Sequence, residues 1–270
     1  MSTKEAHPLP TDARRRIYLS MQEKDVFWDL RKNYLELVFE TRATHAEHLK
    51  KTGEWLYYVF ACRLLSQFIG FKNATIIDWG GFYGQVTAIL TRLGARRTNN
   101  YLLEKPAHYD LFVKKIKIPT IYGQKPNALN LPDNFCEVFI SSGVLEHVHE
   151  DGEGDEDLIL WEINRVLKPG GWFILWNLPS LLSCSELLAA SLRKPHHDRR
   201  FWDRAVFRRL KGHGFSIQYI DKHKLLPGSL ISHLGKIINP LLLARADDVL
   251  AHLWPLSALA RDYFIMARKT

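Results

Sequence analysis

Thr75-Ile76-Ile77-Asp78-Trp79-Gly80-Gly81-Phe82-Tyr83-Gly84-Gln85 is the stretch on which the fold turns. A short β-branched run ends in an acid, three glycines follow within five positions, and helix-forming sequence runs from Gln85 to Leu93. This reads as a strand, a tight turn and a helix N-terminus, through which backbone can approach an adenosine-containing ligand. The spacing is neither a full G-x-G-x-x-G nor a P-loop with its Lys-Ser/Thr. The turn alone therefore suits several nucleoside cofactors.

Working outward, strands and helices alternate from 74 to about 178. The strands are expected at 75–78, 100–104, 118–121, 136–141 and 171–177, with helices around 84–93, 107–114 and 156–167. Such alternation predicts parallel βαβ units with helices on both faces of a sheet. Upstream, residues 1–20 are polar and read as a loose arm. Trp28, Tyr34, Leu35, Val38 and Phe39, then Trp55, Tyr58, Val59, Leu64, Leu65 and Phe68, recur at helical spacing over 21–70. Downstream, 181–211 reads as helical and basic, and strands are expected at 214–221 and 262–268. An apolar helical insertion, 225–260, lies between those last two strands. The expected organisation is an arm and helical extension at 1–70, then an α/β domain at 71–270.

A chain of 270 residues with 46% hydrophobic content can bury one α/β core with additions. A net charge of +8 and a pI near 9.3 favour an anionic partner such as a phosphate-bearing glycan or lipid, nucleic acid or a membrane surface. The plainer alternative is an enzyme that is simply basic. Cys62, Cys136 and Cys184 are isolated, without C-x-x-C spacing, which suggests buried thiols in a reducing compartment. The N-terminus, with Glu5, Asp12 and Arg14-Arg15-Arg16, lacks the apolar core of a signal peptide. Leu225–Ala244 is too broken by Pro227, Gly228, His233, Gly235, Lys236 and Pro240 to read as a membrane span. A cytoplasmic location is expected, with contact to the inner face of a membrane as its variant.

Four elements fall in order at expected strand ends, where open α/β sheets bind ligands. They are the turn at 80–84; Glu104, twenty residues beyond Gly84; Asn127-Ala128-Leu129-Asn130-Leu131-Pro132; and Ser141-Ser142-Gly143-Val144-Leu145-Glu146-His147-Val148. A carboxylate at 104 can accept hydrogen bonds from both ribose hydroxyls, and an amide at 127 can reach an adenine edge. Arg165-Val166-Leu167-Lys168-Pro169-Gly170-Gly171 then ends a helix, with Pro and Gly as its stop.

This ordered set resembles the class I S-adenosylmethionine-dependent methyltransferases, in the group carrying "VLEHV" and "RVLKPGG" signatures. The resemblance covers 74–221 and the strand at 262–268. It implies a Rossmann-like, mostly parallel seven-stranded sheet in the order 3-2-1-4-5-7-6 and S-adenosylmethionine as cofactor. By position, Asp78, Gly80, Gly81 and Gly84 would cradle the methionine part and Glu104 would bind the ribose. Asn127 with Ala128 would flank the adenine, and Ser142 with Gly143 would line the sulfonium. Phe82 stands where the family places a glycine, and Asn127 where Asp is more frequent. Gly143 replaces the acid found in metal-dependent members, so no catalytic metal is expected.

The acceptor side is read from fewer residues. His147 suits removal of a hydroxyl proton, since an imidazole titrates near neutrality; it can equally cap the helix or pack on the fifth strand. Tyr83, Trp176 and Asn177 are expected to face the cleft. Between Arg193 and Lys211 eight Lys/Arg stand against two Asp. His196, Arg199 and Arg200 there are candidates to bind a phosphate or carboxylate, or simply form a solvated helix face. The acid run after His149 reads as a solvated loop and the first turn of the next helix. The 225–260 insertion could cap an amphiphilic acceptor, rest on an anionic membrane, or pack as a lid or dimer contact. The expected reaction is methyl transfer to a hydroxyl of a glycan, glycolipid or other small amphiphile. RNA or protein methylation is the runner-up, although no Asn-Pro-Pro-Tyr-like motif ends the fourth strand. A non-catalytic scaffold with this fold is the third reading, and oligomeric state is left open.

Overall fold

The computed structural model describes residues 21–43, 46–149, 154–184, 187, 200–226, 228–235 and 237–270. The chain divides into two compact units, within Leu9–Gly123 and Gln124–Thr270. Seven strands form one sheet in the order β3-β2-β1-β4-β5-β7-β6.

In the first unit, helices α1 (Met21–Thr41), α2 (Glu47–Lys50) and α3 (Thr52–Phe68) precede strand β1 (Thr75–Trp79). Then come α4 (Gln85–Arg92), β2 (Arg97–Leu102), α5 (Tyr109–Ile116) and β3 (Thr120–Tyr122). β1 pairs in parallel with β2, and β2 with β3. Ile76, Ile77, Asp78 and Trp79 are all buried, as expected for a parallel strand covered on both faces.

Helix α1 buries Phe27, Leu30, Tyr34, Leu37 and Val38, a stripe at helical spacing. Trp28 and Phe39, expected on the buried face, are instead exposed because they lie off that stripe, and Phe68 is exposed as the last residue of α3. Tyr34 packs on Trp55 (5.0 Å between ring centroids) and on Phe112 (5.8 Å), and its hydroxyl donates to Tyr83 O at 3.0 Å. The helical extension thus falls in the compact unit, within Leu9–Gly123, that carries β1–β3.

The second unit holds β4 (Cys136–Ser142), α6 (Glu156–Val166), β5 (Leu167–Pro179), α7 (Asp203–Gly212) and β6 (Phe215–His223). Two helices of the insertion follow, α8 (Gly228–Leu234) and α9 (Pro240–His252), and β7 (Asp262–Lys269) closes the chain. β4 and β5 are parallel, whereas β7 runs antiparallel to both β5 and β6. Asp155 caps α6 by accepting from Asp157 N and Leu158 N at 2.7 and 3.1 Å; of the preceding acid run, 150–153 lie outside the described residues.

Two boundaries differ from expectation. Lys168-Pro169-Gly170-Gly171 is no stop before the strand but a bulge inside it. Cys136 pairs with Leu167 and Val138 with Trp172, so four residues loop out between them. Pro169 has no N–H for the ladder, and Gly170 takes φ +71° with its carbonyl held by Arg268 Nε at 2.9 Å. The basic segment is likewise no single helix over 181–211. Phe201 is extended and bridges to Ser180, and helix resumes at Asp203. Cys62 and Cys136 are buried as expected, but Cys184 is exposed on that segment. Among the described residues no helix is long and apolar enough to cross a membrane.

Candidate active site

In the first unit the site is built around Asp78, at the end of the fully buried strand β1. Its Oδ2 accepts from Thr87 N at 3.1 Å and Thr87 Oγ1 at 2.9 Å, tying the strand to the first turn of α4. Burial raises the carboxyl to about 7, against the lowering effect of the two Thr87 bonds. Asp78 Oδ1 and the neighbouring Asn100 Oδ1 are buried and make no hydrogen bond among the described residues.

The turn is compelled by this pair. A β-carbon on Gly81 would stand 2.4 Å from Asp78 Oδ2 and 2.4 Å from Asn100 Oδ1, so any side chain there would collide with the carboxylate and the amide. Gly84 is needed for its left-handed φ of +73° and because a β-carbon would meet Ile118 at 2.6 Å. Phe82 also adopts a left-handed conformation, φ +48°, and its carbonyl accepts from Asn100 Nδ2 at 3.1 Å. Asn100 is further fixed by a 2.7 Å bond to the Tyr109 hydroxyl. The extra glycine and the bulky residue are therefore one device: Gly81 yields to the acid below it, and Phe82 is held by the amide of the next strand. Asn100 was not singled out from the sequence; an amide inside a buried strand was the signal available.

Glu104 lies just past the end of β2, exposed, and its carboxylate has no partner among the described residues. Lys105, which could have neutralised it, pairs with Asp110 at 2.5 Å. Tyr83 does not face a cleft. It is buried, its ring 4.3 Å from Phe112 and its hydroxyl donating to Ala107 O, because a helix and the α1 stripe close over it.

In the second unit, Ser142 ends β4 and Gly143 follows with φ +67°. A β-carbon on Gly143 would meet nothing closer than 3.7 Å, so glycine is required there for its backbone angle, not for space. Asn177, on β5, is itself left-handed at φ +57°. Its Nδ2 donates to Ser142 Oγ at 3.2 Å and its Oδ1 accepts from Lys224 Nζ at 2.9 Å. Lys224 is nearly buried, also left-handed, and pairs with the buried Asp262 at 3.3 Å. The cations Arg261 and Lys224 beside Asp262 hold its carboxyl below the usual range, outweighing the larger opposing effect of burial. Asn177 is thus brought to Ser142, beside Gly143. Trp176 is not: it is buried against Phe264, because alternate β5 residues point into the core.

His147 sits on a 3₁₀ turn, Leu145–His147, with its side chain 41% exposed. Its Nε2 lies 4.0 Å from Oε1 of the buried Glu146. Asn127 is half-buried, and its Oδ1 accepts from Asp155 N at 2.6 Å, which holds the start of α6. Ala128 is exposed in the same turn.

A clamp supports this loop. Glu162 and Arg165 form a two-bond pair at 2.7 Å each. Arg165 donates to Leu129 O and Leu131 O, both at 3.0 Å, and Glu162 accepts from Leu129 N at 2.9 Å. From the sequence Arg165 reads only as a helix end; its i,i+3 spacing from Glu162 was the visible sign. Arg200 lines a cavity of about 680 Å³ with Trp161, Leu178 and His213. His196 and Arg199 lie outside the described residues. Among those residues no group of three or more His, Cys, Asp or Glu is placed to hold a metal ion.

Residues 77–175 match a family model described as a methyltransferase domain. The fold also resembles several solved structures. A 1,6-didemethyltoxoflavin-N1-methyltransferase from Burkholderia thailandensis, solved with S-adenosylhomocysteine, is 15% identical, with 94% of this chain and 92% of that one covered and a TM-score of 0.52. A SAM-dependent methyltransferase from Archaeoglobus fulgidus is 16% identical over 78% and 94%, with a TM-score of 0.53. A SAM-dependent methyltransferase from Thermotoga maritima is 12% identical over 87% and 99%, also at 0.53. No curated protein matches the chain by sequence.

The match over residues 77–175 and the shared fold support a class I methyltransferase. They likewise support an enzyme with S-adenosylmethionine as its cofactor. The residues present fit that group: two orphaned buried acceptor oxygens beneath a turn open only to glycine, and an unpaired exposed carboxylate at the next strand end.

Proposed function

We propose that the enzyme methylates a hydroxyl oxygen of a small amphiphilic acceptor, a glycan or glycolipid being the leading class, with His147 as general base. S-Adenosylmethionine supplies the electrophilic methyl group on its sulfonium. Asp78, Gly80, Gly81 and Gly84 would hold its methionine part and Glu104 its ribose. Asn127 and Ala128 would flank the adenine, and Ser142 and Gly143 the reacting end.

The observation that carries the base role is the exposed imidazole of His147 on the turn that continues from Ser142 and Gly143, with the Glu146 carboxylate 4.0 Å behind it. The imidazole takes the proton that the acceptor hydroxyl loses as the new C–O bond forms, and Glu146 favours the resulting imidazolium. The test is an acceptor screen followed by His147→Ala. With S-adenosylhomocysteine affinity unchanged, kcat should fall about 10²–10⁴-fold. A variant with wild-type kcat sinks the base role.

One observation favours a second reading for the insertion. Ile237 and Trp254 are 86% and 87% exposed, with Leu242 and Leu253 also half uncovered. An apolar face of this kind on a basic protein suits peripheral contact with an anionic membrane. Co-sedimentation with phosphatidylglycerol vesicles should be lost in an Ile237→Ser/Trp254→Ser double variant; equal pelleting of both proteins counts against it.

A further inference from the structure

At the same end of β5 and β6 as Asn177, a cavity of about 810 Å³ opens between the start of α7, the end of β6 and the insertion. That is within the roughly 300–1,000 Å³ of small-molecule sites. Its wall is apolar and aromatic, with Phe201, Trp202, Phe207 and Ile220, and Ala258 contributed by the insertion. Its charged groups are Lys222, Arg204, His252, Asp203 and Asp221.

The acids are occupied by the protein itself. Asp203 accepts a short hydrogen bond from the Tyr263 hydroxyl and pairs with Lys222 at 3.1 Å. Asp221 Oδ2 accepts from the Tyr219 hydroxyl at 2.6 Å and faces His252 Nε2 at 2.8 Å, while Oδ1 accepts from Lys222 N at 2.9 Å. The cations have capacity left. An ammonium has three N–H donors, and among the described residues Lys222 Nζ meets two acceptor atoms, Asp203 Oδ1 and Ser180 Oγ at 3.4 Å, with the Tyr263 ring 4.6 Å away. Arg204 is exposed at the rim with no partner among the described residues. Both ring nitrogens of His252 face acceptor oxygens, the second being Asp248 O at 2.5 Å, which only an imidazolium satisfies on both sides. The cavity thus presents apolar walls and available positive charge, with its carboxylates hydrogen-bonded away.

We infer that this cavity is the acceptor subsite, and that it selects an amphiphile whose apolar body bears an anionic group, held by Lys222 and Arg204. The inference rests on the amphiphilic-acceptor reading above and narrows it. Ser180, bonded to Lys222, stands three residues beyond Asn177, so the head group would be held beside the strand end that carries the reacting groups.

The probes are decanoate and decyltrimethylammonium, each titrated below its micellar concentration into the full chain saturated with S-adenosylhomocysteine. Decanoate should bind one-to-one and at least tenfold tighter than the cation. Lys222→Met and Arg204→Met should each weaken decanoate at least threefold and leave S-adenosylhomocysteine affinity unchanged. Arg204 is exposed and unpaired, so its variant reports on the site even if Lys222→Met unfolds. Equal binding of the two probes, no saturable decanoate site, or decanoate binding indifferent to Arg204→Met overturns the inference. Absence of S-adenosylhomocysteine binding in the wild type would defeat the methyltransferase reading itself, and the subsite's role with it.

Discussion

Glu104 and Asp78 are both carboxylates at strand ends, and their surroundings give them opposite roles. Glu104 is exposed, and its carboxylate has no partner among the described residues. Glu104→Ala should therefore weaken S-adenosylhomocysteine binding about tenfold or more, since hydrogen bonds to a charged group contribute roughly 1.5–3 kcal/mol. Its unfolding temperature should match the wild type; calorimetry reads both, and unaltered affinity would remove Glu104 from the ribose site. Asp78 is buried, with its pKa raised from 3.8 to about 7. Below the lower value it is protonated in both folded and unfolded chains. Between the two values the unfolded chain ionises first, so stability falls as pH rises, and above about 7 the loss is complete. Asp78→Asn removes this titration. Its unfolding temperature relative to wild type should rise by a few degrees between pH 5 and pH 8, at about 2–4 °C per kcal/mol for a protein of this size. A pH-independent difference would place the carboxyl's ionisation elsewhere.

At the scale of elements, backbone pieces are held by side chains from their neighbours. The turn after β1 depends on Asn100 of β2, and the loop at 127–131 depends on Glu162 and Arg165 of α6. Arg165→Met leaves the Leu129 and Leu131 carbonyls without their donor. Hydrogen exchange should quicken at the amides of 127–131, and S-adenosylhomocysteine affinity should drop several-fold while β4 and β5 stay protected. Unchanged exchange in that loop would show that the clamp is dispensable. Gly81→Ala places a methyl against Asp78 and Asn100. It should abolish cofactor binding and destabilise the fold by about 1–3 kcal/mol, as overpacking does. The strand–turn–helix and the ordered motifs were legible because each element carries its own pattern. Tyr83 and Trp176 were misplaced because position along a strand end does not say which face a neighbouring element covers.

For the whole molecule, helix α1 is part of the unit that carries β1–β3. Phe27, Tyr34, Trp55, Tyr83 and Phe112 form one aromatic cluster. Removing a large buried aromatic costs about 3–5 kcal/mol, and total stability is about 5–15 kcal/mol. A fragment of residues 71–270, which lacks three of the five rings, should therefore fail to unfold cooperatively in calorimetry. If it melts cooperatively and binds S-adenosylhomocysteine like the full chain, the helical extension is an accessory after all.

The amino-acid order by itself determined the alternating α/β architecture, the glycine turn with its acid, and the cofactor class. The first two rest on local periodicity and turn chemistry, which short stretches of chain encode; the cofactor class is what the resemblance of the ordered motifs implies. Only the tertiary structure decided that Gly81 must be glycine, that Asn100 and Arg165 hold the turn at 80–84 and the loop at 127–131, and that Lys222 and Arg204 line a cavity beside the insertion. Each of those facts is a contact between residues far apart along the chain. Whether an amide or a cation is engaged or available depends on what packs beside it, and no single segment carries that information.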